Sequence, residues 1–360
     1  MKILILGQTP PPYGGQAINI EKLIHVLAKH SFDHHVIRMN FSDEINDMGS
    51  FSLKKAIRLL RIFLQLLIQL VVYRPDFVYY PPAGPQRTPI FRDMILLLPV
   101  RLFCFKTVFH FHAGGIAESY NGFNPILRSV YRLTYFYADH AICLSEYGKK
   151  DPQFLRSKNI VVIPSGAEDT GYDHTKNNDG NFVILFAGLC CESKGILEFI
   201  EVIRTAKNST NRIKGKVLGK IFSSKENAFI QAAINEGLIS YEGVQTGELK
   251  KEHFKTADLF LFPSFFESEN FPTVIIEAFA AGLPVVATNW RGITDQVING
   301  HNGFLHEPHD IKGMAASIME LERDQAMYKR FSVNARQDFE TKYTMGIFEE
   351  SIITVFKSFE

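Results

Sequence analysis

The sequence predicts an α/β protein built from two doubly wound parallel sheets. Short, continuous apolar runs alternate with helical stretches along the chain, a pattern typical of parallel strands buried on both faces. The pattern stops at a polar segment rich in turn formers, residues 169–180, and then restarts. The chain has 360 residues and 46% hydrophobic content, enough for two ordinary domains. We therefore expect domains over 1–168 and 181–343, a linker over 169–180, and a C-terminal helix over 344–360 that packs back on the first domain.

The first domain opens with a buried strand over residues 2–6, followed by a loop rich in proline and glycine. A helical stretch runs from about residue 17 to residue 29. Further apolar runs predict strands over 77–80, 107–110, 140–144 and 160–163.

The second domain repeats this order. Its apolar runs predict strands over 182–187, 216–219, 239–241, 259–262 and 284–287, with helices between them. Open α/β sheets bind ligands at the carboxyl ends of their strands. We therefore expect the two domains to face each other across a ligand-binding cleft.

Composition excludes several classes of protein. A net charge of +1 argues against a nucleic-acid binder, because balanced charge predicts no strongly basic face. The four cysteines have no metal-binding spacing and are typical of buried thiols in a reducing compartment. The first apolar run leads directly into Gly7-Gln-Thr-Pro, which is unlike a signal peptide. We expect a cytoplasmic protein.

Residues 263–286 contain the most informative motif. Seven residues separate Glu269 from Glu277, and the two lie on either side of the point where a loop becomes a helix. Pro272 suits a first helical turn, and Gly282 with Pro284 two residues later predicts the end of the helix. The free N–H groups of Phe271, Thr273 and Val274 at the mouth of this helix would bind an anion such as a diphosphate. Together with Pro272, these residues form the predicted donor-binding segment.

This segment resembles the signature of the retaining family-4 glycosyltransferases, which have the GT-B fold. The matching residues are Glu269, Phe271, Pro272, Glu277, Ala278, Gly282, Pro284 and Val285. The resemblance implies two Rossmann-like domains, with the nucleotide-sugar donor bound by the second. It also implies that Glu277 holds the donor ribose and that Glu269 acts at the sugar. Asn270 stands where the family has glycine; asparagine tolerates a left-handed backbone, so we expect the loop to keep its shape.

Paired glycines, Gly14 and Gly15, follow the first strand. They allow a ligand to approach the backbone closely, although a plain turn is an equal alternative. The resemblance implies that they contact the nucleotide-sugar donor.

Two histidines lie near the end of the predicted strand at 107–110. His110 and His112 are two residues apart and share a face of the strand, as a metal pair would, but no third ligand has a suitable spacing. The resemblance implies a metal-independent enzyme in which His112 hydrogen-bonds the donor sugar. We expect His110 to be a core histidine with satisfied hydrogen bonds.

Lys194 and Val244 complete the predicted donor site. Gly188-Leu189 and Lys194-Gly195 resemble a glycine-rich family loop in which the lysine neutralises the donor diphosphate. Leu189 replaces an arginine found in many relatives, which leaves Lys194 with more of this charge. The resemblance also implies that Val244 contacts the nucleobase through its backbone.

An apolar helical stretch over residues 54–74 carries a narrow polar stripe formed by Arg58, Arg61, Gln65 and Gln69. Its apolar run is too interrupted for a membrane span. It is either a largely buried domain helix, the interpretation we favour, or a helix that lies at a membrane interface.

The resemblance thus implies a retaining glycosyltransferase that needs no cofactor and no metal. The donor is a nucleotide-sugar, with UDP as the expected nucleotide. The expected acceptor is a lipid-linked glycan of bacterial surface-polysaccharide synthesis, reached at the inner face of an anionic membrane. The predicted catalytic residues are Glu269, His112 and Lys194. The alternatives are a nucleotide-sugar epimerase or hydrolase of the same fold and a non-catalytic nucleotide-sugar sensor.

Overall fold

The chain divides into two compact units in a computed structural model that describes residues 1–11, 14–41, 53–171 and 180–359. The first unit comprises Met1–Ser165 and Phe348–Glu360, and the second comprises Gly166–Ile347. Most of the predicted linker, residues 172–179, lies outside the described residues. Each unit contains one six-stranded sheet whose pairs are all parallel. The predicted fold class is confirmed.

The first unit has the sheet order β2-β1-β3-β4-β5-β6. Its strands are β1 (Lys2–Gly7), β2 (Asp33–Arg38), β3 (Phe77–Tyr80), β4 (Lys106–Phe111), β5 (His140–Cys143) and β6 (Asn159–Val162). The intervening helices are α1 (Gly15–Lys29), α2 (Leu53–Val72), α3 (Arg87–Leu102), α4 (Ile116–Ser119), α5 (Pro125–Tyr135) and α6 (Lys150–Phe154). Strands β3 and β4 are almost wholly buried and contribute Val78, Tyr80 and Phe109 to the core. Burial on both faces explains why their sequences are largely apolar.

The second unit has the sheet order β12-β11-β10-β7-β8-β9. Its strands are β7 (Phe182–Ala187), β8 (Ile213–Leu218), β9 (Ile239–Tyr241), β10 (Leu259–Phe262), β11 (Val285–Thr288) and β12 (Gly303–His306). Its helices are α7 (Ile196–Lys207), α8 (Ser224–Asn235), α9 (Gly247–Lys255), α10 (Thr273–Ala280), α11 (Ile311–Arg323) and α12 (Gln325–Lys342). The central strands β7 and β10 pair directly, with Leu259 opposite Ile184. Their carboxyl ends, and the loops that follow them, therefore meet at one edge of the sheet.

Two strands, β2 and β12, escaped the sequence analysis, and both lie at sheet edges. Strand β2 is largely polar, with Asp33, His35 and Arg38 exposed, because an edge strand is covered on fewer sides. Strand β8 begins before the predicted residue 216, since the half-buried Lys214 and Lys216 interrupt its apolar run.

The last helix, α13 (Met345–Lys357), begins in the second unit and continues into the first. Within the first unit, Glu349 bonds to the side chains of Lys29 and His30. Phe356 packs edge-on against Phe32, and the Phe359 ring lies 3.7 Å from that of His140. The end of the chain thereby contributes buried aromatic side chains to the first unit.

Helix α2 differs from the favoured prediction of a largely buried helix. It buries only Ile62, Leu66 and Leu70, whereas a row of large apolar side chains at helical spacing is exposed. This row, named here the α2 apolar face, consists of Leu53, Ile57, Leu60, Leu64, Ile68 and Val71, which are 47–75% exposed. No helix among the described residues has both the length and the apolar character needed to cross a membrane.

Candidate functional site

The loops that follow β7 and β10 bring Lys194 and Glu269 together. Lys194 ends a short 3-10 turn, Glu192–Lys194, and Glu269 lies on the loop before α10. The Lys194 Nζ atom is 2.6 Å from Oε2 of Glu269. The Ser264 hydroxyl donates to the same carboxylate oxygen at 2.7 Å. The two residues that the sequence analysis assigned to catalysis in this unit are therefore in direct contact.

Burial makes this ion pair important for the local structure. The whole Glu269 residue is 6% exposed, and a buried carboxylate without partners is strongly destabilising. Lys194 supplies the compensating charge, and its ammonium also lies 4.5 Å from the centroid of the Phe266 ring. An ammonium has three N–H donors, so Lys194 keeps donors for a bound anion while it holds Glu269.

Gly195 determines where Lys194 can lie. Its φ is +81°, and an added Cβ would overlap the carbonyl oxygen of Pro263. The backbone therefore needs glycine both for its left-handed conformation and for the close approach of the two loops. Phe265 N–H donates to the Ser193 carbonyl at 2.9 Å and fastens the same two loops together.

Helix α10 begins at Thr273, with Pro272 as its N-cap residue rather than inside the first turn. No side-chain hydrogen bond caps this N-terminus in the described residues, so its leading N–H groups remain available to an anion. At the other end, Gly282 has a φ of +67° and donates to the Phe279 carbonyl, while Leu283 donates to Ala278. This pair of bonds is a Schellman motif, which agrees with the predicted helix stop.

Asn270 and Phe271 lie on the loop before α10. Asn270 is not among the residues with positive φ, so the left-handed backbone proposed to explain asparagine there is wrong. Phe271 turns its side chain inward, where it is 7% exposed and packs against Tyr343 at 5.9 Å between ring centroids. Only its backbone is left for a ligand.

Glu277 lies on α10 and is paired with a residue that the sequence analysis did not single out. Nζ of Lys250, on α9, lies 2.8 Å from Oε1 and 2.6 Å from Oε2 of Glu277. Both side chains are about a quarter exposed. The other predicted donor residue near α9, Val244, follows β9 and is exposed. Nothing in the sequence distinguishes Lys250 from its neighbour Lys251, which pairs with Glu168 and Glu248 instead.

In the first unit, His112 follows β4 and belongs to a group with His110 and Tyr79. The Tyr79 hydroxyl lies 2.8 Å from Nδ1 of His110 and 3.4 Å from Nε2 of His112. The two imidazole centroids are 4.0 Å apart. Burial lowers the pKa of His112 to about 3, and burial together with the neighbouring His112 lowers the pKa of His110 well below its usual range. Both rings are therefore neutral at physiological pH.

This histidine group is not fully hydrogen-bonded, contrary to the expectation for His110. His110 is a core residue, 1% exposed, but its Nε2 atom has no hydrogen-bond partner in the described residues. The Nδ1 atom of His112 is likewise buried and without a partner there. Unpaired buried nitrogens are costly, and a ligand hydroxyl at His112 would remove one of them.

Gly14 and Gly15 lie at the start of α1, with Gly14 as the N-cap residue. A Cβ at either position would meet no atom within 4 Å. The packing of the described residues therefore does not require glycine here, and the contact with a donor stays a prediction beside the alternative of a plain turn. The predicted site residues thus fall into two groups, with Gly14, Gly15 and His112 in the first unit and the others in the second.

Comparisons with known proteins show that the chain is similar to glycosyltransferases. Residues 172–338 match the family model described as Glycosyl transferases group 1. The chain contains a glycosyltransferase group 1 domain. A capsular polysaccharide biosynthesis glycosyltransferase of Staphylococcus aureus is 23% identical over 365 residues, covering 93% of this chain and 92% of that protein.

Solved structures show the same fold over the full chain. Sucrose-phosphate synthase from Thermosynechococcus elongatus has a TM-score of 0.77 at 17% identity and covers 100% of this chain and 99% of its own. Anabaena HepE in complex with UDP has a TM-score of 0.72 at 18% identity and covers 99% of this chain and 100% of its own. The fold is GT-B, as the sequence predicts.

The neutral histidine pair leads to a testable prediction about pH. The unfolded chain binds a proton at each histidine below about pH 6.5, whereas folded His112 binds one only near pH 3. The free energy of unfolding of the first unit should therefore decrease as pH falls below about 6.5. His112→Asn should make this dependence shallower in urea-unfolding measurements. Nitrogen NMR of the imidazoles provides the direct check: a His112 ring that titrates between pH 5 and 8 would contradict the prediction.

Proposed function

We propose that the chain is a retaining glycosyltransferase of family 4 that transfers a sugar from a nucleoside diphosphate donor to an acceptor hydroxyl. The observation that carries this proposal is the buried contact between Lys194 and Glu269 beside the uncapped N-terminus of α10. The helix N-terminus and the lysine attract a diphosphate, and the carboxylate can accept hydrogen bonds from sugar hydroxyls. One edge of the sheet therefore provides complementary groups for both halves of a nucleotide-sugar.

The proposed reaction breaks the bond between the anomeric carbon and the diphosphate oxygen and forms a bond from the acceptor oxygen to the same carbon. Negative charge grows on the departing diphosphate, where Lys194 and the N–H groups of Thr273 and Val274 stabilise it. The acceptor proton passes to the leaving phosphate oxygen on the same face of the sugar. Glu269 orients the sugar hydroxyls, and His112 donates or accepts one hydrogen bond to the sugar as a neutral imidazole.

For the donor we propose a UDP-sugar. HepE, whose fold this chain shares, was solved in complex with UDP. In our proposal the ribose binds Glu277, and the uracil contacts the backbone at Val244, on an exposed loop after β9.

For the acceptor we propose a lipid-linked glycan at the cytoplasmic face of an anionic membrane. The similarity to a capsular polysaccharide biosynthesis enzyme supports a role in surface-polysaccharide assembly. The α2 apolar face supports the membrane, because contiguous exposed apolar patches mark interaction surfaces. Lys54 and Arg61 flank this face on α2 and are exposed, as in helices that lie at an anionic interface.

The two acids should affect different steps of the reaction. Glu277→Ala should raise the donor KM by about tenfold with little change in kcat, since ribose binding is the same in the ground and transition states. Glu269→Gln should instead lower kcat by about 10²–10³, the size typical for one preorganised polar group. Steady-state kinetics should be measured with the donor chosen by thermal-shift screening of UDP-, GDP- and ADP-sugars.

Near-wild-type kinetics in both variants would contradict these assignments. A parallel incubation of donor without acceptor separates the proposal from its alternatives. Rapid donor turnover under that condition indicates an epimerase or hydrolase, and binding without turnover in any condition indicates a sensor.

Positive charge at the diphosphate should come from Lys194 and not from a metal. Lys194→Ala should lower turnover by about two to three orders of magnitude, while EDTA should leave wild-type activity largely intact. The variant also leaves Glu269 without its charge partner, so its melting temperature must be measured beside its kinetics. Loss of wild-type activity in EDTA that Mn²⁺ restores would contradict the metal-independent proposal.

Liposome flotation tests the membrane proposal. The protein should float with vesicles rich in anionic lipid and detach as salt rises, because each cation near such a surface contributes about 1 kcal/mol. The double substitution of Leu64→Glu and Ile68→Glu should abolish flotation, since it adds charge to the α2 apolar face without touching the core.

A matched control is available on the same helix. Gln65→Glu with Gln69→Glu adds the same charge on the polar stripe, outside the α2 apolar face, and should weaken flotation less. Equal losses in the two double variants would indicate a purely electrostatic effect. No flotation of the wild type at low salt would contradict membrane contact.

A further inference from the structure

The ion pair between Lys250 and Glu277 occupies the position where the proposed function places the donor ribose. Lys250 Nζ lies within 2.8 Å of both carboxylate oxygens. Its ammonium also lies 5.8 Å from the ring centroid of Phe254, a buried residue one helical turn further along α9. The lysine is therefore held between an anchored aromatic ring and the carboxylate.

The carboxylate has room for a second set of partners. An ionised carboxylate offers about four lone-pair sites, and Lys250 uses one on each oxygen. One site on each oxygen is then left, which matches the two vicinal hydroxyls of a ribose. Glu277 is about a quarter exposed, so these sites are open to a ligand.

We propose that Lys250 is a positioning residue for the donor ribose. It fixes the orientation of the Glu277 carboxylate, so that both free lone pairs face the 2′- and 3′-hydroxyls of the nucleotide. Without Lys250, Glu277 is a partly exposed side chain with several rotamers, and its ordering opposes nucleotide binding. This inference rests on the proposed function and adds to it a residue outside the family motif.

Lys194 and Lys250 then have different tasks. Lys194 contacts a buried acid, Glu269, whose side chain is 7% exposed, and serves the diphosphate. Lys250 contacts a more exposed acid and serves the ribose. A substitution of Lys250 should therefore weaken the binding only of nucleotides that carry the ribose hydroxyls. It should leave the rate of the chemical step unaltered.

Calorimetric titration of the full chain tests this division with three ligands: UDP, UDP that lacks the 2′- and 3′-hydroxyls, and inorganic diphosphate. Lys250→Met keeps the length of the side chain and removes its charge. It should weaken UDP binding by about tenfold, as expected for losing one charge-assisted, bidentate contact. Binding of the dideoxy nucleotide and of inorganic diphosphate should be unchanged. Lys250→Arg should recover part of the loss, and kcat at saturating donor should stay at the wild-type value in all variants.

Lys251→Met is the matched control. It lies on the same helix, carries the same charge and pairs with Glu168 and Glu248, so it should leave all three affinities unchanged. Equal weakening of all three ligands by Lys250→Met, or the same effect from Lys251→Met, would indicate a general charge or folding effect and overturn the proposal. Tighter UDP binding by Lys250→Met would also overturn it, because the lysine would then be a competitor of the ribose. A wild-type chain that binds none of UDP, GDP and ADP would instead refute the proposed function, and with it the ribose site.

Discussion

The buried carboxylate of Glu269 is the constraint on which the organisation of the second unit depends. An isolated charge at this depth would be strongly unfavourable, so the surrounding loops must supply partners. Lys194 comes from the loop after β7 and Ser264 from the loop after β10, and both reach the same carboxylate oxygen. Because β7 and β10 are adjacent in the sheet, a single ion pair ties together two loops that are far apart in sequence.

Several local features surround this ion pair. Gly195 is needed because the two loops approach too closely for a Cβ. The Thr288 hydroxyl bonds to the Ser264 carbonyl, and the Trp290 indole donates to Phe266 at 2.9 Å, so the loop after β11 joins the same assembly. Most of the polar groups at this edge are therefore already positioned before a ligand arrives, which is the arrangement expected of an electrostatically preorganised site.

The sequence predicted those strands and helix ends whose structure is determined by their own residues. Strands such as β7 and β10 are buried on both faces and had to be continuous apolar runs, and the stop of α10 at Gly282 has a fixed residue requirement. Edge strand β2 was missed because partial exposure removes that requirement. For α2 the sequence left burial and an exposed interfacial position as alternatives and favoured the wrong one, since an apolar side chain has the same identity whether it meets a core or a solvent-exposed surface.

The site also contains residues that a local motif identifies and residues whose contacts depend on tertiary packing. Glu269 and Glu277 were selected through a motif whose spacing follows from the loop and helix that carry them, and Lys194 through a separate glycine-containing loop. Lys250 was not found, because its role depends on which of two consecutive lysines faces α10, and this is decided by the packing of α9 through Phe254. The pairing of His110 with Tyr79 likewise depends on strand order, which places β3 beside β4.

The path of the chain through the two units has a consequence for biosynthesis. The second unit is continuous from Gly166 to Ile347, whereas the first is completed only by Phe348–Glu360. Ile352, Phe356 and Phe359 are buried in the first unit, so they must be present before its packing is complete. A ribosome synthesises these residues after the whole of the second unit. The unit whose sheet is synthesised first is therefore the one that finishes folding second, and until then its aromatic contacts at Phe32, Phe77 and His140 stay uncovered.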